Sequence, residues 1–339
     1  MRNKISFCIV CMNRLYHLKE TLIKNIEDNI SYEKLEFILL DYNSTDGLED
    51  WVKSNMKDYI EKDILKYYKT SEPNSFHRSH SRNVAMKLGS GDIICNLDAD
   101  NFLGKDFAFY VNFNFSFNED IFLTSGIKNG SYGKVCVKKE HFIKIRGYDE
   151  RMSGWGYEDD DLYFRINLLG IKQVNYFEKE FTEFIDHPLE DSFKNDENIS
   201  NITNILINRV SQNKTDLIFL LSEGKFKYVS VSRQNDLNFE ELKLEKPIEQ
   251  GKYQLLNSLL DLQFKSETRK QLVLTQHQNS FICEDLKFHS LTDETLINWL
   301  KILLTSLENK ALFTHKKNEK ELISNKSIWG ETSLSTLML

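Results

Sequence analysis

The sequence predicts an α/β fold with a mainly parallel β-sheet flanked by helices, followed by a smaller C-terminal α+β lobe. The alternation of strand-like and helix-like segments indicates this class. Over residues 1–205, apolar runs of strand length alternate with segments whose apolar residues recur at helical spacing. This alternation is typical of parallel sheets, because two parallel strands need a crossover, usually a helix, between them. The alternation ends after residue 205, so we predict one domain over 1–205 and an accessory region over 206–339.

Four apolar runs are expected to form the core of the sheet, at residues 5–10, 35–40, 64–68 and 93–97. Apolar residues at helical spacing follow the first run, at Leu15, Leu18, Leu22 and Ile26. They predict a helix with one apolar face against the sheet. Residues 79–88 predict a second helix that ends at Gly89, since glycine is a common residue just beyond a helix. Another strand is expected over 171–176.

The accessory region shows different patterns. Apolar residues 217–221 and 226–231 flank Glu223 and Gly224, which predicts a β-hairpin. Residues 292–307 carry leucines on one face of a predicted helix. The region contains no motif that indicates a chemical activity, so its role is left open.

Composition narrows the classes of function. Of the 339 residues, 40% are hydrophobic and 28% are charged, which is typical of a globular protein. The net charge of -7 argues against a nucleic-acid-binding protein, because such proteins usually present a basic face. The first apolar run is too short for an export signal, and three of the five cysteines lie in strand-like runs. We therefore expect a cytoplasmic protein with reduced thiols.

Two aspartates follow the fourth predicted strand. Asp98 and Asp100 are two positions apart at a strand end, so their side chains can point to the same side. Carboxylate oxygens suit Mg²⁺ or Mn²⁺, with diphosphate oxygens and water completing the coordination. An acidic turn that only ends a strand is the alternative. The position of the two aspartates at a strand end favours a metal site, since ligands of parallel sheets bind beyond the carboxyl ends of the strands.

A second acidic motif occupies residues 154–161, with the sequence GWGYEDDD. The dipole of a helix N-terminus accounts for one or two of the acids, and Asp161 can pair with Arg165 one turn later. The remaining like charges are unfavourable together, so one of them is a candidate general base. Trp155 is equally compatible with stacking on a sugar and with a place in the core. His187 is a third candidate, although a lone histidine is more often structural.

These motifs together resemble the inverting glycosyltransferases of the GT-A fold, family 2, and especially the galactosyltransferase branch with its GWGxEDDD segment. Residues 147–150 (GYDE) and 154–165 are similar to that segment. Residues 13–18 (NRLYHL), 41–47 (DYNSTDG), and 81–85 (SRNVA) with Arg78, resemble earlier parts of the family's fold. The matches occur in the family's order and end near residue 190.

The resemblance implies that residues after the first strands bind the donor nucleotide. Arg14 and Asp41 would lie near the base. Asp98 would contact the ribose or the metal ion, and Arg82 belongs to the donor-binding segment that precedes it.

The resemblance also implies a metal site and a catalytic base. Asp100 and His187 would bind a divalent cation, Mn²⁺ or Mg²⁺, and Asp159 would deprotonate the acceptor. Glu158 and Trp155 would shape the pocket for the acceptor and the donor sugar.

Two positions depart from the family. Animal members carry a methionine ligand where this chain has Phe184, which cannot bind a metal. We expect water or Asp186 to replace it, or a change in metal preference. The residue before Glu158 is usually small in the family and is Tyr157 here, which leaves the identity of the sugar open.

The implied reaction is metal-dependent transfer, with inversion, of galactose or N-acetylgalactosamine from a UDP-sugar to an oligosaccharide or glycolipid. We expect a role in bacterial surface polysaccharide synthesis, with peripheral association at the inner membrane face and no nucleic-acid partner. Two alternatives remain. A sugar-nucleotide nucleotidyltransferase would need a glycine-rich loop after the first strand, which residues 11–14 lack. A non-catalytic carbohydrate-binding relative would bind sugars without turnover.

Overall fold

A computed structural model describes residues 2–188, 191, 193–233, 242–256, 271–277, 280–283 and 285–337. The chain divides into two compact units, Met1–Asp196 with Asn309–Leu339, and Glu197–Glu308. This division differs from the predicted one. Residue 205 lies inside a strand of the second unit, and the C-terminal residues return to the first unit.

The first unit contains alternating strands and helices up to Asp196. In chain order they are β1 (Ile5–Cys11), α1 (Leu15–Glu27), β2 (Leu35–Tyr42), α2 (Leu48–Asn55), α3 (Lys57–Glu61), β3 (Leu65–Thr70), α4 (Arg78–Leu88), β4 (Ile93–Asp98), α5 (Phe107–Phe117), β5 (Ile121–Ser125), β6 (Val135–Lys138), α6 (Lys139–Lys144), α7 (Glu158–Leu168) and β7 (Lys172–Tyr176).

The second unit is largely β, and one long helix leads out of it. Its elements are α8 (Glu197–Ser200), β8 (Ile202–Arg209), β9 (Lys214–Leu221), β10 (Lys225–Arg233), β11 (Leu242–Leu244), β12 (Glu249–Leu256), β13 (Gln271–His277), β14 (Ser280–Cys283), β15 (Leu286–Ser290) and α9 (Glu294–Glu319). The second half of α9 belongs to the first unit, as does the last strand, β16 (Leu334–Thr336).

The sheet of the first unit has the order β16-β3-β2-β1-β4-β6-β5-β7. Strands β3, β2, β1 and β4 are parallel, and so are β5 and β7. Strands β6 and β16 pair antiparallel with their neighbours. The prediction of an α/β fold with a mainly parallel sheet is confirmed. The carboxyl ends of β1, β2 and β4 meet at one edge, where the candidate site lies.

Both faces of this sheet are buried, because side chains alternate along each strand. On one face Phe7 packs in a cluster with α1 and α5. On the other face Cys8 packs with Ile38, Ile94 and the apolar side of α4. Burying a large apolar side chain contributes about 1.5–3 kcal/mol each, so the two clusters give the edge a rigid support.

The second unit contains the predicted hairpin. Strands β9 and β10 pair antiparallel over their whole length. Its sheet has the order β11-β10-β12-β13-β14-β15-β8-β9, and the pairing of β10 with β9 closes the ring of strands. Leu300, Leu304 and Leu307 of α9 join the apolar cluster of this unit, as the helical spacing predicted. Among the described residues, no helix combines the length and the apolar character that crossing a membrane requires.

Candidate active site

An arginine on α4 joins two of the predicted acids. Arg82 is 4% exposed, and its guanidinium donates to both oxygens of Asp98 at 3.0 and 3.1 Å. The same guanidinium donates to Oδ1 of Asp159 at 3.1 Å. Its donors hold Asp98 and Asp159 side by side, and the substrate contact of Arg82 stays a prediction.

Asp159 is the second residue of α7, and its carboxyl group also accepts a bond from the Tyr148 hydroxyl at 3.3 Å. Burial raises the pKa of Asp159 to about 7. The nearby Arg82 cation opposes this rise, and the charges of Glu158 and Asp98 add to it. A base works best when its pKa lies near the working pH. A carboxyl group with this pKa suits the predicted role of Asp159 as the general base, which stays a prediction.

Gly133 was missed by the sequence analysis. A Cβ atom built on it would lie 2.8 Å from Nη2 of Arg82, and 3.2 Å from Oδ2 of both Asp159 and Asp98. The backbone at Gly133 thus packs directly against the three charged groups. Its carbonyl accepts a bond from the Asn96 side chain at 2.9 Å, which fixes this backbone to β4. A single glycine in a turn gave no sequence signal for this contact.

Asp100 and His187 lie together, as predicted. Nε2 of His187 is 3.0 Å from Oδ2 of Asp100. The bond to Asp100 raises the pKa of His187. Burial opposes ionisation of Asp100, but the hydrogen bonds from His187 and Asn101 and the charge of Arg14 lower its pKa overall. The structure therefore brings the two predicted metal ligands to one point.

His17 is a further candidate ligand that the sequence analysis missed. The ligand atoms of His17, Asp100 and His187 all lie within 4.8 Å of one another. Burial lowers the pKa of His17 to about 4, so its imidazole is neutral at pH 7. The resembling segment 13–18 contains this histidine one turn after Arg14, and that spacing was the available signal.

The side chain of Phe184 does not act in the metal cluster. Its ring lies against Gly130, where an added Cβ would meet Phe184 carbons at 2.4–2.8 Å. The sequence predicts that water or Asp186 replaces the missing methionine ligand, or that the metal preference changes. Within the described residues, the group that could hold a metal ion contains His17 and does not contain Asp186.

Arg14 lies beside the candidate metal ligands. Its guanidinium is 3.2 Å from Nε2 of His187 and 3.9 Å from Oδ2 of Asp100, and it also donates to the carbonyl of Asp191. Arg14 precedes α1, whose first turn also carries His17. That Arg14 lies near the nucleotide base stays a prediction.

Asp41, which is predicted to lie near the nucleotide base, is completely buried. The Tyr67 hydroxyl donates to one carboxylate oxygen at 2.5 Å, and the Ser44 amide donates to the other at 2.7 Å. Burial raises its pKa, although these two bonds oppose the rise. With both oxygens engaged, Asp41 fixes the turn after β2 and exposes no atom to a ligand.

Glu158 and Trp155 lie beside Arg78. Oε1 of Glu158 is 3.6 Å from Arg78 and 3.8 Å from Arg82, and its buried Oε2 has no hydrogen-bond partner in the described part of the chain. Trp155 is 37% exposed, with the Arg78 guanidinium 4.8 Å from its ring centre. Of the two options for Trp155, partial exposure favours the surface of the site over the core.

The last two acids of the motif have structural contacts. Asp160 accepts a bond from the Tyr132 hydroxyl at 2.9 Å. Asp161 is fully buried and pairs with Arg165 at 2.7 Å, as the i,i+4 spacing predicted, and with Lys316 of α9. The four successive acids therefore separate into two that lie beside Arg82, namely Glu158 and Asp159, and two with other contacts, Asp160 and Asp161.

Residues 127–188 match the protein family described as the N-terminal domain of galactosyltransferase. No curated protein sequence matches the chain significantly. The matched stretch includes Gly133, the 154–161 motif and His187, and it supports a glycosyltransferase.

Solved structures with similarity to the chain are distant in sequence. A mannosyltransferase from Pyrobaculum calidifontis, in complex with GDP-Man and Mn²⁺, is 17% identical with a TM-score of 0.45, covering 52% of this chain and 56% of that one. S. aureus TarS with UDP is 16% identical with a TM-score of 0.43, covering 51% and 58%. Drosophila β1,4-galactosyltransferase 7 with xylobiose is 16% identical with a TM-score of 0.39, covering 57% and 74%. The chain thus spans little more than half the length of the first two.

Proposed function

We propose that this chain is an inverting, metal-dependent glycosyltransferase that moves a sugar from a nucleotide-sugar donor to a carbohydrate acceptor. The observation that carries the proposal is the raised pKa of Asp159 together with its link to Asp98 through Arg82. Its carboxyl group has a pKa of about 7, and Arg82 bridges it to Asp98 at the end of β4. A base matched to neutral pH thus lies beside the strand end where the donor is expected.

The side chains near Asp100 fit a divalent cation. Two imidazoles and one carboxylate are suitable ligands for Mn²⁺, and their ligand atoms lie within 4.8 Å of one another. A cation bound there would neutralise the donor diphosphate and stabilise it as a leaving group. Asp98 keeps a side chain that is 35% exposed, so it can still contact the ribose while bound to Arg82.

The residues around Asp159 suit attack by an acceptor hydroxyl. Asp159 accepts the hydroxyl proton as the oxygen attacks the anomeric carbon from the face opposite the diphosphate, and one such displacement inverts the configuration. Arg82 and Tyr148 keep the carboxylate in place during the transfer. Glu158 and the partly exposed Trp155 are proposed to shape the pocket for the acceptor and the donor sugar.

The family match and the GWGYEDDD motif favour a UDP-sugar, with galactose or N-acetylgalactosamine as the first candidates. Tyr157, which precedes Glu158, packs on Phe313 at 5.9 Å between ring centres, so α9 contributes to this wall of the site. We propose an oligosaccharide or glycolipid acceptor in bacterial surface polysaccharide synthesis, with the protein acting in the cytoplasm at the inner membrane face.

A donor screen tests this function. The chain is incubated with UDP-, GDP- and CMP-sugars and Mn²⁺, Mg²⁺ or EDTA, and nucleotide release is measured with and without mixed oligosaccharide acceptors. We expect release from one class of donor, dependent on the metal, and a product whose anomeric configuration by NMR is opposite to that of the donor. Donor and acceptor binding without release would instead indicate a non-catalytic carbohydrate-binding protein. A product of retained configuration would contradict the single displacement.

A further inference from the structure

We propose that His17 is the third protein ligand of the metal site and that the Arg14 guanidinium occupies this site until a divalent ion displaces it. The inference rests on the metal-dependent function proposed above and deepens it. It assigns His17 as a ligand in place of the methionine that the chain lacks. It also identifies Arg14 as a side chain that competes with the ion for the site.

One guanidinium nitrogen of Arg14 lies where a metal ion would bind. Nη1 of Arg14 lies 3.2 Å from Nε2 of His187, 3.4 Å from Nδ1 of His17 and 3.9 Å from Oδ2 of Asp100. Each of these three residues offers an atom that can bind a metal. A positively charged nitrogen is therefore surrounded by the same three side chains that would surround an ion.

The hydrogen bonds of His187 explain why a cation is needed there. Its Nδ1 is 3.0 Å from the carbonyl oxygen of Pro188, which accepts a bond from Nδ1–H. In that tautomer the lone pair of Nε2 points to the cluster, only 3.0 Å from the Asp100 carboxylate. Backbone carbonyls commonly fix metal-binding histidines in this way. When Nε2 lacks the proton that it otherwise donates to Asp100, a positive group between the lone pair and the carboxylate is favourable, either the guanidinium or an ion.

Packing fixes the position of the His17 side chain. It is 3% exposed, its ring centre is 5.0 Å from that of His187, and it belongs to the first turn of α1. Its Nδ1 already faces the Arg14 cation, so it would bind an ion with little movement. A divalent ion at this point would repel the guanidinium, because two positive charges a few ångströms apart in a partly buried site interact strongly.

The ligand set predicts a metal preference. Imidazole nitrogens favour transition metals over Mg²⁺, which takes oxygen ligands in a strict octahedral arrangement. With two imidazoles and one carboxylate, the site should bind Mn²⁺ and Co²⁺ more tightly than Mg²⁺. A site formed by Asp100 and His187 with water would show a weaker preference.

Mn²⁺ titration followed by the EPR signal of the free ion tests the proposal without nucleotide or turnover. We expect His17→Ala to weaken Mn²⁺ binding about tenfold or more. Arg14→Met should tighten it about fivefold or more, because the competing charge is gone. His141→Ala and Arg2→Met, which change the same residue types away from the cluster, are the matched controls and should bind like the wild type. Circular dichroism verifies that every variant is folded.

Electron spin echo spectroscopy of the bound Mn²⁺ supplies a second measurement, since it detects coordinated histidine nitrogen. The wild type should show two such nitrogens and His17→Ala one. Wild-type affinity together with an unchanged nitrogen signal in His17→Ala would overturn the ligand assignment, while donor turnover that needs metal would leave the proposed function intact. Unchanged affinity in Arg14→Met would overturn the competition. A wild-type protein that binds no Mn²⁺ would refute both the inference and the metal dependence.

Discussion

At the scale of single residues, the candidate base owes its properties to its neighbours. Burial pushes the pKa of Asp159 upward, and Arg82 limits the rise by its positive charge. The bond from Tyr148 fixes the direction of the carboxylate. One acid among four thus gains a pKa of about 7, while Asp161 is committed to Arg165 and Lys316. Local environment, more than residue type, separates the base from the structural acids.

The pH dependence of turnover follows from this pKa. Asp159 acts when deprotonated, and its pKa is raised, so activity should be lost as pH falls through about 7. Below that value kcat/KM should drop about tenfold per pH unit. Arg82→Gln should move the acid limb to higher pH, because it removes the charge that opposes protonation. A profile flat between pH 5 and about 8 would contradict the assignment of Asp159 as the base.

Gly133 gives a second prediction at this scale. A methyl group at this position would push against Arg82, Asp98 and Asp159, so Gly133→Ala should lower kcat by about 10²-fold through misplacement of the base. Gly170→Ala is the control, because its added methyl meets nothing within 4 Å, although its φ of +85° is unfavourable for alanine. The control should lose some thermal stability and keep its kcat. Equal kcat in both variants would show that Gly133 does not shape the site.

At the scale of elements, the motif helix α7 depends on the far end of the chain. Lys316 of α9 is fully buried, its Nζ is 2.8 Å from Asp149, and it also contacts Asp161 at the start of α7. The sequence predicted α7 and its pair with Arg165, because both follow local spacing. It did not predict the role of α9, since a lysine in a polar, helical stretch gives no sign that it will be buried against distant acids.

Lys316→Met tests this link. The change leaves Asp149 and Asp161 with one buried cation fewer, and breaking a buried ion pair costs about 3–5 kcal/mol. Urea denaturation should show a fall of that size in the free energy of unfolding. Lys317→Met, on the exposed side of the same helix, is the control and should change it by less than about 0.5 kcal/mol. A small effect in Lys316→Met would mean that α9 does not support the motif.

At the scale of the whole molecule, the predicted α/β class and the strands β1 to β4 are confirmed, because their apolar periodicity is local and strong. The positions of site residues were harder to predict. Asp41 and Arg82 carry residue types that suit a ligand, yet their partners come from β3 and from α7, which no local pattern reveals. The domain boundary was misjudged for the same reason, since residues 309–339 contact the first unit only through long-range packing.

The division of the chain predicts the result of a truncation. A protein that ends at residue 205 would lose Trp329, which packs on Phe142 in the core, and Asn325, which bonds the backbone next to Asp149. It would also lose β16 from the edge of the sheet. We expect this fragment to show no cooperative thermal transition by circular dichroism. A stable fragment with a sharp transition would indicate that residues 1–205 form an independent domain after all.

Asp159 is proposed to take the proton of the acceptor in a nucleotide-sugar transfer. This role is tested by comparing kcat of Asp159→Asn with kcat of Asp160→Asn, with donor affinity measured for both by calorimetry. We expect Asp159→Asn to lose about 10²–10⁴-fold in kcat and still to bind donor, whereas Asp160→Asn stays near the wild type. Near-normal turnover in Asp159→Asn, or an equal loss in both variants, would contradict this role.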